Sequence, residues 1–127
     1  MTDLGALADA NYVQLTTFRK DGTPVATPVW AVARDGKLFV WTEAESWKVK
    51  RIRRNPAVTL QPCNARGALT EGTTAVPGTA RILDSAETET VRKALQRKYW
   101  LLGPLLILAS RIRRGKDGTT GIEITLD

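Results

Sequence analysis

The sequence predicts a small, mainly β domain, a six-stranded antiparallel split β-barrel of Greek-key type with flanking helices. Three observations carry this reading. Short runs rich in β-branched and aromatic residues recur along the 127 residues, parted by turn signals such as Lys20-Asp21-Gly22 and Asp35-Gly36. Proline and glycine fall inside or at the ends of these runs, at Pro28, Pro62 and Pro77-Gly78, where a barrel bends. The elements also follow one another as a meander of three strands, a helix, two strands, a helical region and a closing strand, which does not suit a parallel sheet. At this length residues 1–127 form one domain, long enough for a real core and too short for two.

Residues 3–9 are expected to make one or two helical turns, with Leu4, Leu7 and Ala8 on one side. Tyr12 to Phe18 alternates like a half-buried strand, Val13 and Leu15 on one face and Gln14 and Thr16 on the other. A second strand runs from about Pro24 to Ala33. Pro28 interrupts it, which requires a bulge or an edge position with backbone groups open to a contact. Residues 37–42 form the third strand and Ala57 to Cys63 the fourth, with Asn64 to Glu71 as loop. A fifth strand is expected from about Thr73 to Leu83, bent or bulged at Pro77-Gly78. Asp84 and Glu87 make a capping box for an amphipathic helix carrying Val91, Ala94, Leu95, Lys98, Tyr99 and Leu102 at helical spacing. Gly103-Pro104 breaks that helix, Leu105 to Arg114 reads as a second helical segment, and Thr120 to Leu126 is the last strand.

Composition narrows the chemistry. There is no histidine, which removes Ser-His-Asp and Cys-His catalysis and His-ligated zinc. A lone cysteine, Cys63, excludes internal disulfides and Cys-cluster metal sites, so no metal is expected. Reactive chemistry then belongs to a bound cofactor. The start Met1-Thr2-Asp3 has no basic signal-peptide region, and the longest nearly apolar run, Tyr99 to Ala109, is broken by Gly103-Pro104 and falls short of the roughly 20 residues that span a bilayer. A cytoplasmic location without an integral membrane segment is the expectation. The net charge of +6 favours anionic partners, among them nucleic acid, anionic lipid and a phosphorylated or polycarboxylate cofactor.

The chain is organised around Trp41 to Pro56. Leu38 to Thr42 ends a strand, Ser46 can cap a short helix, and Asn55-Pro56 ends it. Five of the nine residues from Ser46 to Arg54 are basic and none is acidic. At 100° per residue Val49 and Ile52 point inward, Lys48 and Arg53 flank them, and Trp47, Lys50, Arg51 and Arg54 face out. A hydroxyl cap, free N–H groups and a lysine beside the apolar stripe suit a phosphate; the competing reading is a solvated basic helix.

Taken in order, the Asp-Gly turn, Trp41-Thr42, Ser46-Trp47-Lys48, Asn55-Pro56-Ala57-Val58 and Gly78-Thr79-Ala80 resemble the pyridoxamine 5′-phosphate oxidase-like split-barrel superfamily. Leu15 to Arg19, Thr27-Pro28-Val29-Trp30, Lys48 to Arg51 and Pro62-Cys63 are most similar to its small actinobacterial branch, which uses the 8-hydroxy-5-deazaflavin coenzyme, coenzyme F-420. The resemblance implies a homodimer with the cofactor in grooves between subunits. It implies that Ser46 and Lys48 hold the cofactor phosphate with Thr42 nearby, and that Thr27, Pro28, Val29 and Trp30 line the ring. It further implies that Arg51 or Lys50 meets the acidic tail of the coenzyme. Flavin-using relatives carry basic residues on the second strand that help hold FMN; Ala26 to Ala31 has none, which favours the deazaflavin over FMN, the alternative cofactor. The implied activity is hydride transfer between this coenzyme and an unsaturated or heteroaromatic small molecule, with the final proton from solvent, Tyr12 or Tyr99. A non-catalytic cofactor carrier and a small basic nucleic-acid binder are the competing classes; the chain carries no recognised nucleic-acid motif, so nucleic acid is not the expected partner.

Overall fold

The computed structural model describes residues 5–8, 10–101 and 118–127. Within the helical start expected over residues 3–9, Gly5–Leu7 forms a 3-10 turn that tucks Leu7 into the core, and residues 3, 4 and 9 lie outside the described residues. The strands are β1 (Tyr12–Phe18), β2 (Pro24–Arg34), β3 (Lys37–Glu43), β4 (Ala57–Cys63), β5 (Val76–Ile82) and β6 (Thr119–Leu126). Helix α1 (Trp47–Arg54) lies between β3 and β4, and α2 (Ser85–Leu101) follows β5. The expected segment 105–114 lies outside the described residues.

The six strands close an antiparallel barrel in the order β1-β2-β3-β6-β5-β4. Alternation does what a period of two dictates, sending Val13, Leu15, Val29, Ala31, Leu38, Val40, Val58, Leu60, Ile122 and Ile124 inward. Val49 and Ile52 of α1 join that core, so the helix is anchored by two apolar side chains and presents its basic face elsewhere. On the outer surface Trp30, Val32, Phe39 and Trp41 pack against a second cluster, Leu83, Val91 and Leu95, beneath α2. Trp30 and Trp41 stack there at 6.3 Å and 12°. Gly121 permits the close approach of α2 to β6: a Cβ at this position would lie 3.1 Å from Leu83 Cδ1 and 3.4 Å from the Thr88 backbone.

The structure decides between the alternatives at the strand prolines and moves one strand boundary. Pro28 makes no bulge, since β1 and β2 pair without interruption from Tyr12↔Trp30 to Phe18↔Pro24. Instead it takes an edge position. Pairing of β2 with β3 covers only Ala31↔Val40 to Arg34↔Lys37, so among the described residues no strand pairs with residues 24–29 on that side. Likewise Pro77 pairs in register with Thr59 without a bulge. The fifth strand begins at Val76 and not near Thr73, because Thr73 is held by its loop: its hydroxyl donates to Thr70 O at 2.5 Å and its carbonyl accepts from Gln61 Nε2 at 3.0 Å.

Candidate functional site

The place where β2 and β3 part company positions the predicted residues. Beyond Ala31↔Val40, β2 continues along β1 while β3 continues along β6 as far as Glu43. One lip of this opening therefore carries Thr27, Pro28, Val29 and Trp30, and the other runs through Thr42 into α1. On the first lip Val29 is buried in the barrel core, Thr27 is half-buried, Pro28 is exposed and Trp30 stacks on Trp41. Of the expected ring-lining group, only Pro28 is exposed. Tyr12 faces Trp30 across the β1–β2 register; the Tyr99 side chain lies outside the described atoms.

The second lip holds together. Ser46 caps α1 from an extended conformation, φ −68° and ψ 156°, its hydroxyl accepting from Val49 N at 3.4 Å. Lys48, in the first turn, reaches back to donate to Thr42 Oγ1 at 3.2 Å. Burial lowers the Lys48 pKa below the ordinary lysine value, and the Arg51 cation lowers it further, against a smaller opposing pull from Glu43. A half-buried ammonium held by a neutral hydroxyl and crowded by another cation is an arrangement that an anion stabilises.

Arg51 departs from its predicted outward direction. Its Nε donates to the hydroxyl of Thr17 at 2.7 Å, and Thr17 is only 1% exposed. The wheel gave the direction of the Cα–Cβ bond, but the long arginine stem folds back to the barrel wall. Burial and the Arg19 cation both lower the Arg51 pKa. Arg51 lines an open cleft of about 530 Å³ with Arg19, Lys20, Asp21, Trp47 and Arg54. Trp47 is 71% exposed at this cleft, and Lys50 Nζ lies 4.6 Å from its ring centroid. Arg19, Lys20 and Thr17 were missed by sequence reasoning. The available signal was Thr17 itself, a hydroxyl in the inward register of Val13 and Leu15, with two cations, Arg19 and Lys20, just beyond Phe18. Cys63 is buried, and burial pushes its thiol pKa up, which disfavours the reactive thiolate.

Among the described residues no cluster of three His, Cys, Asp or Glu side chains can hold a metal, and no helix is long and apolar enough to cross a membrane. A closed six-stranded antiparallel barrel with a basic capped helix at its seam now stands beside a sequence match of residues 4–127 to the family model described as pyridoxamine 5′-phosphate oxidase. The chain belongs to the pyridoxamine 5′-phosphate oxidase family. Solved structures agree on the barrel of this family member. A conserved hypothetical protein from Mycobacterium tuberculosis superposes with a TM-score of 0.72 at 20% identity, covering 99% of this chain and 81% of the other. An F420 reductase gives 0.65 at 18% identity over 100% and 94%. The heme storage protein HutZ of Vibrio cholerae gives 0.66 at 12% over 99% and 92%. Identities this low carry the fold and leave the chemistry to the site. Among curated proteins none matches the chain.

Proposed function

We propose that this family member binds a phosphate-bearing deazaflavin coenzyme, coenzyme F-420, in preference to FMN, and that it is an oxidoreductase acting on an unsaturated or heteroaromatic small molecule. The observation that carries the reading is Lys48: a half-buried cation on Thr42 at the capped start of α1, with Arg51 adding to the positive field and no ion pair to a carboxylate among the described residues. Such a site is built for a phosphate. Thr42, Ser46 and Lys48 would hold it, and the β2 edge from Thr27 to Trp30, past the point where β3 leaves it, would offer backbone groups to a flat ring. Ala26 to Ala31 supplies no cation to FMN, whereas Arg51 and its neighbours suit an acidic tail.

When bound, the coenzyme supplies or accepts the hydride; the chain's residues clamp the phosphate, orient the ring along β2 and provide a wall for the substrate. Two copies of the chain would complete the groove, and light scattering should give about twice the 13.9 kDa chain mass when the coenzyme is present. Fluorescence or calorimetric titration with the deazaflavin and FMN at one ionic strength tests the preference; equal or tighter FMN binding overturns it. Rapid mixing of bound reduced coenzyme with candidate substrates then separates an enzyme from a carrier, since a carrier shows no accelerated oxidation.

A further inference from the structure

We infer that Thr17 is a positioning residue that aims the forked face of Arg51 into the α1 cleft, making this cleft a bidentate oxyanion site separate from the Lys48 clamp. Three observations meet here. The last inward position of β1 is a hydroxyl where Val13 and Leu15 before it are apolar, and it is buried. Its oxygen takes the Arg51 Nε proton at 2.7 Å, which fixes the guanidinium plane and leaves both η nitrogens for the cleft. Around that fork stand Arg19, Lys20 and Arg54, none of them in an ion pair among the described residues, against the single acid Asp21. The Asp21 carboxylate is already turned to Thr23 N at 2.9 Å.

A planar fork with its stem fastened favours carboxylate or phosphate oxygens presented in pairs over a point anion. The two sources of such chemistry are the acidic tail of the coenzyme and a separate polyphosphate. The tail is the source we assign. This assignment rests on the cofactor reading above; the site itself does not.

The test uses the whole protein and calorimetry with inorganic pyrophosphate and with triglutamate, followed by the coenzyme with and without its tail. Thr17→Val is expected to weaken pyrophosphate and triglutamate about three- to tenfold, as the loss of one orienting hydrogen bond would. Thr17→Ser should restore binding. Arg51→Lys, which keeps the charge and loses the fork, should weaken binding similarly and add little on top of Thr17→Val. Circular dichroism and thermal melts of each variant establish that the barrel is intact. Equal losses in Thr17→Val and Thr17→Ser, additive losses with Arg51→Lys, or wild-type protein that binds neither probe would overturn the inference. For the source, Thr17→Val should weaken the tailed coenzyme and spare the tailless one. Equal loss for both overturns the tail assignment. If no deazaflavin binds at all, the cofactor reading fails while the pyrophosphate arm still reports on Thr17 and Arg51.

Discussion

The surroundings of the two helices differ in how many of their cations find a carboxylate. Around α2, Arg81 bridges Glu87 at 2.8 Å and Glu123 at 3.2 Å, Lys37 reaches Glu123 at 3.4 Å, and Arg92 pairs with Glu89 within its own helix. Lys98 is also satisfied there, donating to the Ala10 and Ala31 carbonyls. Around α1, Arg19, Lys20, Lys48, Arg51 and Arg54 form no ion pair among the described residues, and two of them are partly desolvated. The Arg81–Glu87 pair and the Lys98 hydrogen bond to the Ala31 carbonyl fasten α2 to the sheet. The unpaired cations of α1 repel one another, which costs the fold something and leaves a positive field for a ligand.

The comparison breaks most visibly at Lys48. Lys48→Ala should weaken coenzyme binding roughly 10- to 150-fold, the loss of a charge-assisted hydrogen bond of about 1.5–3 kcal/mol. Thermal melts of the free variant should be unchanged or slightly higher, because a desolvated charge has gone. Coenzyme affinity should also decline with rising pH earlier than an exposed lysine would dictate: the charged form binds, and burial lowers the pKa of Lys48 in the free protein. An affinity flat up to the ordinary lysine range would contradict this.

On the α2 side the outcome should invert. Gly121→Ala forces a methyl group to 3.1 Å from Leu83 Cδ1 and should cost about 1–3 kcal/mol in urea unfolding, with coenzyme affinity intact. A smaller effect follows from Glu123, whose pKa lies below the ordinary glutamate value chiefly through its hydrogen bonds to Arg81, with Lys37 assisting. A carboxylate lowered by folding contributes stability above its unfolded pKa and loses it as pH falls through the folded one. Urea midpoints should therefore drop on acidification through and below the glutamate range, and Glu123→Gln should flatten that part of the profile. Least of all, Lys50→Ala should weaken binding only slightly and only at low salt, since Lys50 is exposed beside Trp47. Losses equal to those of Lys48→Ala, vanishing together at high salt, would reduce the clamp to a diffuse basic surface.

The barrel was legible because its strands alternate and its turns carry their own chemistry. The runs around Val13-Leu15, Leu38-Val40 and Ile122-Ile124 each place two inward residues that no other period explains. The placement of Ser46 and Lys48 at the start of α1 was legible for a local reason as well, since a cap and a first-turn lysine are set by a few neighbouring residues. Arg51 was not. Its partner Thr17 lies 34 residues away, and the direction of a long side chain depends on what the fold brings within its reach. Thr73 misled for the reverse reason, as a β-former held in a loop by Gln61 from the neighbouring strand. At Pro28 the residue excluded a central strand, but choosing between bulge and edge required knowing where β3 leaves β2.

The closing strand has a consequence for how the protein comes into being. Lys37 at the start of β3 meets Glu123 of β6 across 86 residues of chain, and β6 is also the strand that holds β5. During synthesis β1 to β4 and α1 leave the ribosome as an open sheet, with Leu38, Val40 and Leu60 lacking the Ile122 and Ile124 they pack against in the finished core. Closure must wait for the last strand and carries the entropy of a long loop, so folding should be slow for a chain of this size. Until then α1 has its Ser46 cap but not a closed barrel behind it, and the open apolar face is a surface on which neighbouring chains can stick.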